Sequence, residues 1–142
     1  MAGIELGRRT LTVSPAARPR LVTPGEVAQF LLPQFGAYPV ERFGLLLLDA
    51  RFRLIRVQVL SSGSRDASLV HPREVFREAA LAAASAIVLF HNHPSGDAAP
   101  SDEDLALTRR MVNAGHLMGI EVVDHVILAD NHYASLKLMG RL

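Results

Sequence analysis

The stretch His91–Asp104, HNHPSGDAAPSDED, contains two histidines separated by one residue, and it closes on a serine followed three residues later by an aspartate. Imidazole nitrogen and carboxylate oxygen are ligands that Zn²⁺ takes in catalytic sites, where three protein ligands leave one position for water. His91, His93 and Asp104 are therefore a candidate metal triad.

The residues on either side of the histidines predict how the triad is assembled. A short buried strand is predicted over Ala86–Phe90, and it leads directly into His91. Side chains two apart on an extended segment point the same way, so His91 and His93 are expected to face one cleft while Asn92 points away. A proline and a glycine then turn the chain, and a helix beginning at Ser101 is expected to return across the site.

The pattern Ser101-x-x-Asp104 has a second interpretation. A serine at the N-cap with an acidic residue three positions later is a common helix start, the capping box. Beside a pair of histidines the ligand interpretation is favoured for Asp104, and the two roles are compatible because capping would fix the approach of the carboxylate.

A hydrolytic metal site also needs a general base near the water. Spacing alone does not decide which of several carboxylates is this base. Glu41 stands just before the apolar run Phe43–Leu48 and could line the sheet edge beside the cleft, although a strand-end carboxylate is more often simply solvated. The acidic residues within the stretch itself are Asp97, Asp102 and Glu103.

The rest of the chain predicts alternating strands and helices, which favours a three-layer α/β or α+β domain with a mixed sheet flanked by helices. The domain is expected to cover residues 23–142, after a weakly ordered, arginine-containing arm over residues 1–22 with one short strand near Thr10–Val13. The predicted elements are a helix from a capping box at Thr23 to Pro33–Gly36, antiparallel strands at Phe43–Leu48 and Leu54–Leu60, a loop at Ser61–Asp66, a helix at Pro72–Ala84, a helix from Ser101 to about Ala114, and strands at Ile120–Ala129 and His132–Lys137.

Composition limits the classes of function. A length of 142 residues is that of one domain. The absence of cysteine excludes disulfides and thiolate metal ligands and suits a cytoplasmic protein, and we see no signal peptide or membrane span. The net charge of +1 does not indicate a polyanion partner.

Three similar motifs do not fit. The letters HNH are contiguous here, whereas the nuclease of that name spreads them over a longer element. A zinc deaminase needs P-C-x-x-C, which a chain without cysteine lacks. The helical H-E-x-x-H of many metalloproteases is also absent.

The stretch resembles the motif H-x-H-P-x-G…P-S-x-x-D of the JAMM (MPN+, JAB) zinc metallohydrolases. VHPREVFREA precedes it and LTRRMVNAGHLMGIEVVDHVIL follows it. With these segments the sequence is similar to the RadC family of bacterial proteins, from about Thr23 to the C-terminus. The resemblance implies a cytidine-deaminase-like α/β sandwich, with a zinc ion bound by His91, His93, Asp104 and a water.

The resemblance also implies roles for two further residues. Glu41, in VERFGLLLLD, matches the catalytic glutamate just before the first long strand, and Ser101 matches the serine that hydrogen-bonds the developing oxyanion. The implied activity is zinc-dependent hydrolysis of amide or isopeptide bonds, with a peptide or protein as substrate. The alternative is a DNA-repair-associated or protein-binding module that retains its zinc site without peptidase activity.

RadC proteins usually carry an N-terminal helical region that resembles helix-hairpin-helix DNA-binding modules. Only about 22 residues precede the shared part here, so DNA binding is weakly supported as an expectation. No feature indicates the oligomeric state. Of the other histidines, His125 is expected to be structural or to support a metal ligand, His71 to start a helix, and His116 and His132 to lie at the surface.

Overall fold

The computed structural model describes residues 18–63 and 70–142 in full, and the backbone alone of residues 4–5 and 10–12. The helices are α1 Pro24–Leu31, α2 Pro72–Leu81 and α3 Asp102–Met118, and α1 continues into a π-helical turn at Leu32–Gly36. The strands are β1 Ile4–Glu5, β2 Thr10–Thr12, β3 Arg42–Leu48, β4 Leu54–Ser62, β5 Ala86–Asn92, β6 Glu121–Ala129 and β7 His132–Ser135.

The strands form one mixed sheet in the order β1-β2-β4-β3-β5-β6-β7. Only β5 and β6 pair in parallel within the described strands, and helix α3 makes the crossover between them. Two buried clusters cover the sheet. One contains residues of α2 and α3, and the other contains residues of α1 and the π-helical turn. The expected three-layer α/β architecture with a mixed sheet between helices is confirmed.

Strand β3 shows why this sheet is buried on both faces. Phe43, Leu45 and Leu47 belong to the cluster on the α2–α3 face, whereas Leu46 and Leu48 belong to the cluster on the α1 face. A strand covered on both faces is apolar throughout instead of alternating, and each fully buried leucine contributes about 1.5–3 kcal/mol.

Strand β5 follows the same alternation and thereby places the candidate ligands. Ile87 and Leu89 face α2 and α3, and Val88 and Phe90 face α1. The alternation continues beyond Phe90, since β5 runs on to Asn92 instead of ending before the histidines.

Helix α3 is longer than predicted, because it passes through Gly115 and ends at Met118. A Cβ atom at residue 115 would lie 2.5 Å from the carbonyl oxygen of Ile120, so glycine lets the last turn pack against the chain that follows. The helix ends where Gly119 adopts a left-handed φ of 70°.

The other element ends also differ from the prediction. Helix α2 stops at Leu81, three residues before the predicted end at Ala84, because Ala83 adopts a left-handed φ of 54° and Ala84 N donates to Ala79 O. Strand β4 continues through Ser62, and β7 ends at Ser135. Residues 64–69, which include the second half of the predicted loop at Ser61–Asp66, lie outside the described residues.

Most of the predicted arm also lies outside the described residues, at residues 1–3, 6–9 and 13–17. The predicted strand near Thr10–Val13 corresponds to β2, which pairs with β4. Leu21 is buried in the core, and its N–H donates to Phe52 O at 2.9 Å. Among the described residues, no helix has the length and apolar character that a membrane span requires.

Candidate metal centre

The two histidines lie at the end of β5. His91 is fully buried, pairs with Phe43 of β3 and stacks on its ring, with the ring centroids 6.0 Å apart. His93 follows the strand. Its backbone N–H donates to Leu128 O at 2.7 Å, and its ring Nδ1 lies 2.8 Å from the carbonyl oxygen of Asp97. A carbonyl oxygen only accepts, so His93 carries a proton on Nδ1 and directs Nε2 towards His91.

The loop after His93 turns tightly enough to bring α3 back to the histidines. Gly96 adopts a φ of 87°, a left-handed conformation that favours glycine, and its N–H donates to His93 O at 3.1 Å.

Asp104 makes contacts that fit both interpretations of its place in the sequence. The capping box is present: Ser101 Oγ accepts from Asp104 N at 3.0 Å, and Asp104 Oδ2 accepts from Ser101 N at 2.9 Å. The same carboxylate meets both histidines, with Oδ1 at 3.3 Å from His91 Nε2 and Oδ2 at 3.4 Å from His93 Nε2. Capping therefore sets the approach of the carboxylate to the histidine pair.

The spacing of these donor atoms fits a tetrahedral metal ion. The two Nε2 atoms of His91 and His93 lie 2.9 Å apart. Two ligands at zinc-like distances of 2.0–2.1 Å with a tetrahedral angle between them are separated by about 3.3 Å. The Nε2–Nε2 separation of 2.9 Å is shorter than that value. The separations of 3.3 Å from His91 Nε2 to Asp104 Oδ1 and of 3.4 Å from His93 Nε2 to Asp104 Oδ2 are close to it. Two imidazoles and one carboxylate are also a donor set that zinc accepts.

The charges at the site favour a cation. Burial raises the pKa of Asp104, but the contacts of its carboxylate with the rings of His91 and His93 outweigh burial and hold this pKa well below its ordinary value. The hydrogen bond to Asp104 raises the pKa of His93. An ionised carboxylate thus faces two imidazole nitrogens in a largely buried setting.

Glu41 lies at the same site, although it is fifty residues from His91 in the sequence. One ligand atom each of Glu41, His91 and His93 lies within 4.8 Å of the others, and these three residues could hold a metal ion. Strand β3 begins immediately after Glu41, and the carbonyl oxygen of Glu41 accepts from Gly63 N at 2.8 Å.

The other carboxylates considered as a base are placed differently. Asp97 accepts from Ala99 N at 3.0 Å and shapes its own loop. Asp102 and Glu103 are exposed residues in the first turn of α3.

The side chain of Asn92 points away from the cleft, as expected, and it also binds the backbone around Glu41. Its Oδ1 accepts from Arg42 N at 2.7 Å, and its Nδ2 donates to the carbonyl oxygens of Tyr38 at 3.2 Å and Val40 at 3.0 Å. These three bonds hold the backbone on both sides of Glu41. A buried amide side chain needs hydrogen-bond partners. An asparagine in a buried strand was therefore the signal in the sequence that could have identified this residue.

A second missed residue is Thr108, on the buried face of α3 with Asp104 one turn earlier. Its Oγ1 lies 2.6 Å from His125 Nδ1, and His125 Nε2 lies 2.8 Å from His91 Nδ1. His125 therefore supports a candidate ligand, as its position in a buried strand indicated. Burial holds the pKa of His125 well below its ordinary value.

The remaining histidines lie away from this cluster of contacts. His71 is the N-cap of α2, with Nδ1 accepting from Arg73 N at 3.0 Å, as its place at a helix start predicted. His116 and His132 are exposed.

Comparison with known proteins gives the family. A model of the RadC-like JAB domain matches residues 21–141. The chain is 43% identical to a UPF0758 protein of Desulfitobacterium hafniense (strain DSM 10664 / DCB-2) over 99% of this chain and 62% of that protein. It is 44% identical to a UPF0758 protein of Symbiobacterium thermophilum over 100% of this chain and 60% of that protein.

The chain thus spans about three fifths of the length of these relatives. The names of the relatives state no activity. The family model covers the described sheet from β3 onwards and all the residues of the candidate metal centre. The match over residues 21–141 shows that this chain belongs to the RadC-like JAB domain family.

Proposed function

We propose that this protein is a zinc-dependent hydrolase of amide or isopeptide bonds, acting on a peptide or protein. The observation that supports it best is the convergence of His91 Nε2, His93 Nε2 and the Asp104 carboxylate at metal-ligand spacing, with Glu41 beside them. A zinc ion held by His91, His93 and Asp104 would supply a Lewis acid that lowers the pKa of water and polarises a carbonyl group.

Glu41 would act as the general base and then as the general acid. Its carboxylate would accept a proton from the attacking water and return it to the nitrogen of the leaving amine. The bonds from Asn92 to the backbone on either side of Glu41, and the bond from Gly63 N to Glu41 O, support this role, since they limit the movement of the segment that carries the carboxylate.

Ser101 would stabilise the oxygen that gains negative charge as the carbonyl is attacked. Its Oγ accepts from Asp104 N at 3.0 Å, which leaves the hydroxyl proton free to be donated to that oxygen. A donor placed in advance of the reaction contributes without reorganisation, and such donors are typically worth about 10²–10³ in turnover.

The alternative is a binding module, for a protein or for DNA, in which the metal site has only a structural role. A structural zinc site is closed by four protein ligands and needs no base. The positioning of Glu41 by Asn92 beside two of the proposed ligands, His91 and His93, supports the enzyme over the module.

The test compares Glu41→Gln with His91→Ala and Asp104→Ala in the full chain. We expect the two ligand variants to lose stoichiometric zinc by elemental analysis, and Glu41→Gln to keep it while losing hydrolysis of a quenched fluorescent peptide library and of its lysine-linked isopeptide counterparts. If both ligand variants retain zinc, the triad is wrong. If Glu41→Gln hydrolyses the probes as fast as wild type, Glu41 is not the base.

A further inference from the structure

A chain of hydrogen bonds runs from His91 into the core and returns to Asp104. It passes from His91 Nδ1 to His125 Nε2 at 2.8 Å, from His125 Nδ1 to Thr108 Oγ1 at 2.6 Å, and from Thr108 Oγ1 to the carbonyl oxygen of Asp104 at 2.7 Å. His91, His125 and Thr108 are fully buried. This chain of hydrogen bonds connects β5, β6 and α3 next to the candidate metal centre.

The single hydroxyl proton of Thr108 sets the direction of this chain. The Asp104 carbonyl oxygen only accepts, so the 2.7 Å contact is a hydrogen bond only if Thr108 donates to it. The hydroxyl oxygen then accepts from His125, which must carry its proton on Nδ1. The opposite arrangement would leave two acceptor oxygens in contact with no proton between them, a cost of about 1–3 kcal/mol at a buried site.

The direction set at Thr108 passes on to His91. Burial disfavours the charged imidazolium, so a His125 protonated on Nδ1 presents a lone pair at Nε2. That lone pair accepts from His91 Nδ1–H. His91 then presents the lone pair of its own Nε2 to His93 and Asp104, as a metal ligand must.

We propose that Thr108, acting through His125, selects the tautomer of His91 that is competent to bind metal, and is a positioning residue for the site. This inference rests on the proposed zinc site. Ligating histidines usually donate to a carboxylate, a carbonyl or a water. Here the group that accepts from His91 Nδ1–H is the neutral ring of His125, which brings no charge into the core. The anion in direct contact with His91 is then Asp104, on the other side of the ring.

The test compares Thr108→Val with Thr108→Ser. Valine keeps the shape and removes the hydroxyl, so an Nδ1–H on His125 would be buried without an acceptor. His125 should then protonate at Nε2 and donate to His91, whose own proton moves to Nε2 and faces the metal position. We expect Thr108→Val to lower zinc affinity about 10–100-fold, measured by competition with a chromophoric chelator. Thr108→Ser, which keeps the hydroxyl, should retain the wild-type affinity.

A second measurement on the metal-free protein tests the inference without zinc. Long-range ¹H–¹⁵N NMR of the histidine rings should show His91 protonated at Nδ1 in wild type and in Thr108→Ser, and at Nε2 in Thr108→Val. If Thr108→Val keeps both the wild-type tautomer and the wild-type zinc affinity, the inference is wrong. If wild type itself binds no zinc, the proposed function fails, while the tautomers still decide the role of Thr108.

His125→Phe provides the same test if Thr108→Val does not fold. Phenylalanine fills a similar volume and accepts no hydrogen bond from His91. A comparable loss of zinc affinity in this variant supports the inference, and unchanged affinity contradicts it.

Discussion

Asp104 shows at the scale of one residue how a structural and a chemical role can share a side chain. Its Oδ2 caps the first turn of α3 through Ser101 N, and its two oxygens also face the two histidines. The helix start thus holds the carboxylate in the position of the proposed third metal ligand. The sequence allowed both roles for Asp104, because its spacing from Ser101 fits a capping box and the nearby pair of histidines favours a ligand.

The two roles of Asp104 can be separated by comparing Asp104→Asn with Asp104→Ala. Asparagine can still accept from Ser101 N but carries no charge, so we expect it to lose zinc as fully as alanine. In the presence of a chelator, Asp104→Ala should be less stable than Asp104→Asn by about 1 kcal/mol, a typical value for a lost cap. Urea unfolding followed by circular dichroism measures this difference. Wild-type zinc affinity in Asp104→Asn would show that Asp104 is only a cap.

At the scale of elements, the site is built by the segment before β3, the end of β5 and the start of α3. Asn92 connects two of them. Its amide binds backbone atoms of Tyr38, Val40 and Arg42, while its neighbours His91 and His93 face the proposed metal position. The alternation of β5, continued to the residue that follows it, therefore lets one strand end present the two proposed histidine ligands on one face and hold the segment that carries the proposed base from the other.

Asn92→Ala should loosen the segment around Glu41 and leave the histidines in place. It leaves one buried N–H and two carbonyl oxygens without their partner, so we expect a loss of about 1–3 kcal/mol in the free energy of unfolding. Zinc affinity should stay near wild type, because pairing with β3 and β6 holds His91. Urea unfolding and chelator competition measure the two quantities.

The matched control is Asn113→Ala, at an exposed position of α3. Its effect on stability should be within about 0.5 kcal/mol, as for most surface substitutions. Equal stability of Asn92→Ala and Asn113→Ala would contradict the proposed role of Asn92.

The elements themselves were largely predictable, because apolar runs and caps are local signals. The start of α1 at Thr23 and the pairing of β3 with β4 follow from such signals. The end of α3 could not be predicted from local signals, because the contact that favours glycine at residue 115 involves Ile120 in the chain beyond the helix. Likewise, Glu41 was assigned through a family resemblance, since only the sheet pairing brings it to the histidines.

At the scale of the whole molecule, the candidate ligands are distributed over the fold. His91 and His93 lie at the end of β5, Asp104 lies in α3, and both elements take part in the core on the α2–α3 face. A metal ion that needs all three ligands binds the folded chain and not the unfolded one. Zinc binding should therefore stabilise the entire domain.

Zinc should raise the melting temperature measured by calorimetry relative to the protein in chelator. At a free zinc concentration about 100 times the dissociation constant, linkage adds about 2.7 kcal/mol. For a domain of this size, roughly 3 °C per kcal/mol converts this to an increase of about 8 °C. His91→Ala should abolish the increase, because it removes a fully buried ligand.

Glu41→Gln is the decisive comparison in the same experiment, because Glu41 lies close enough to His91 and His93 to be a ligand itself. If Glu41 is a base held beside the metal, the glutamine variant should show the full zinc-dependent rise in melting temperature. Capping holds the Asp104 carboxylate against both histidines, which would complete the proposed three-ligand set without Glu41. A glutamine variant that loses the increase as His91→Ala does would make Glu41 a ligand and would require a different base for the proposed reaction.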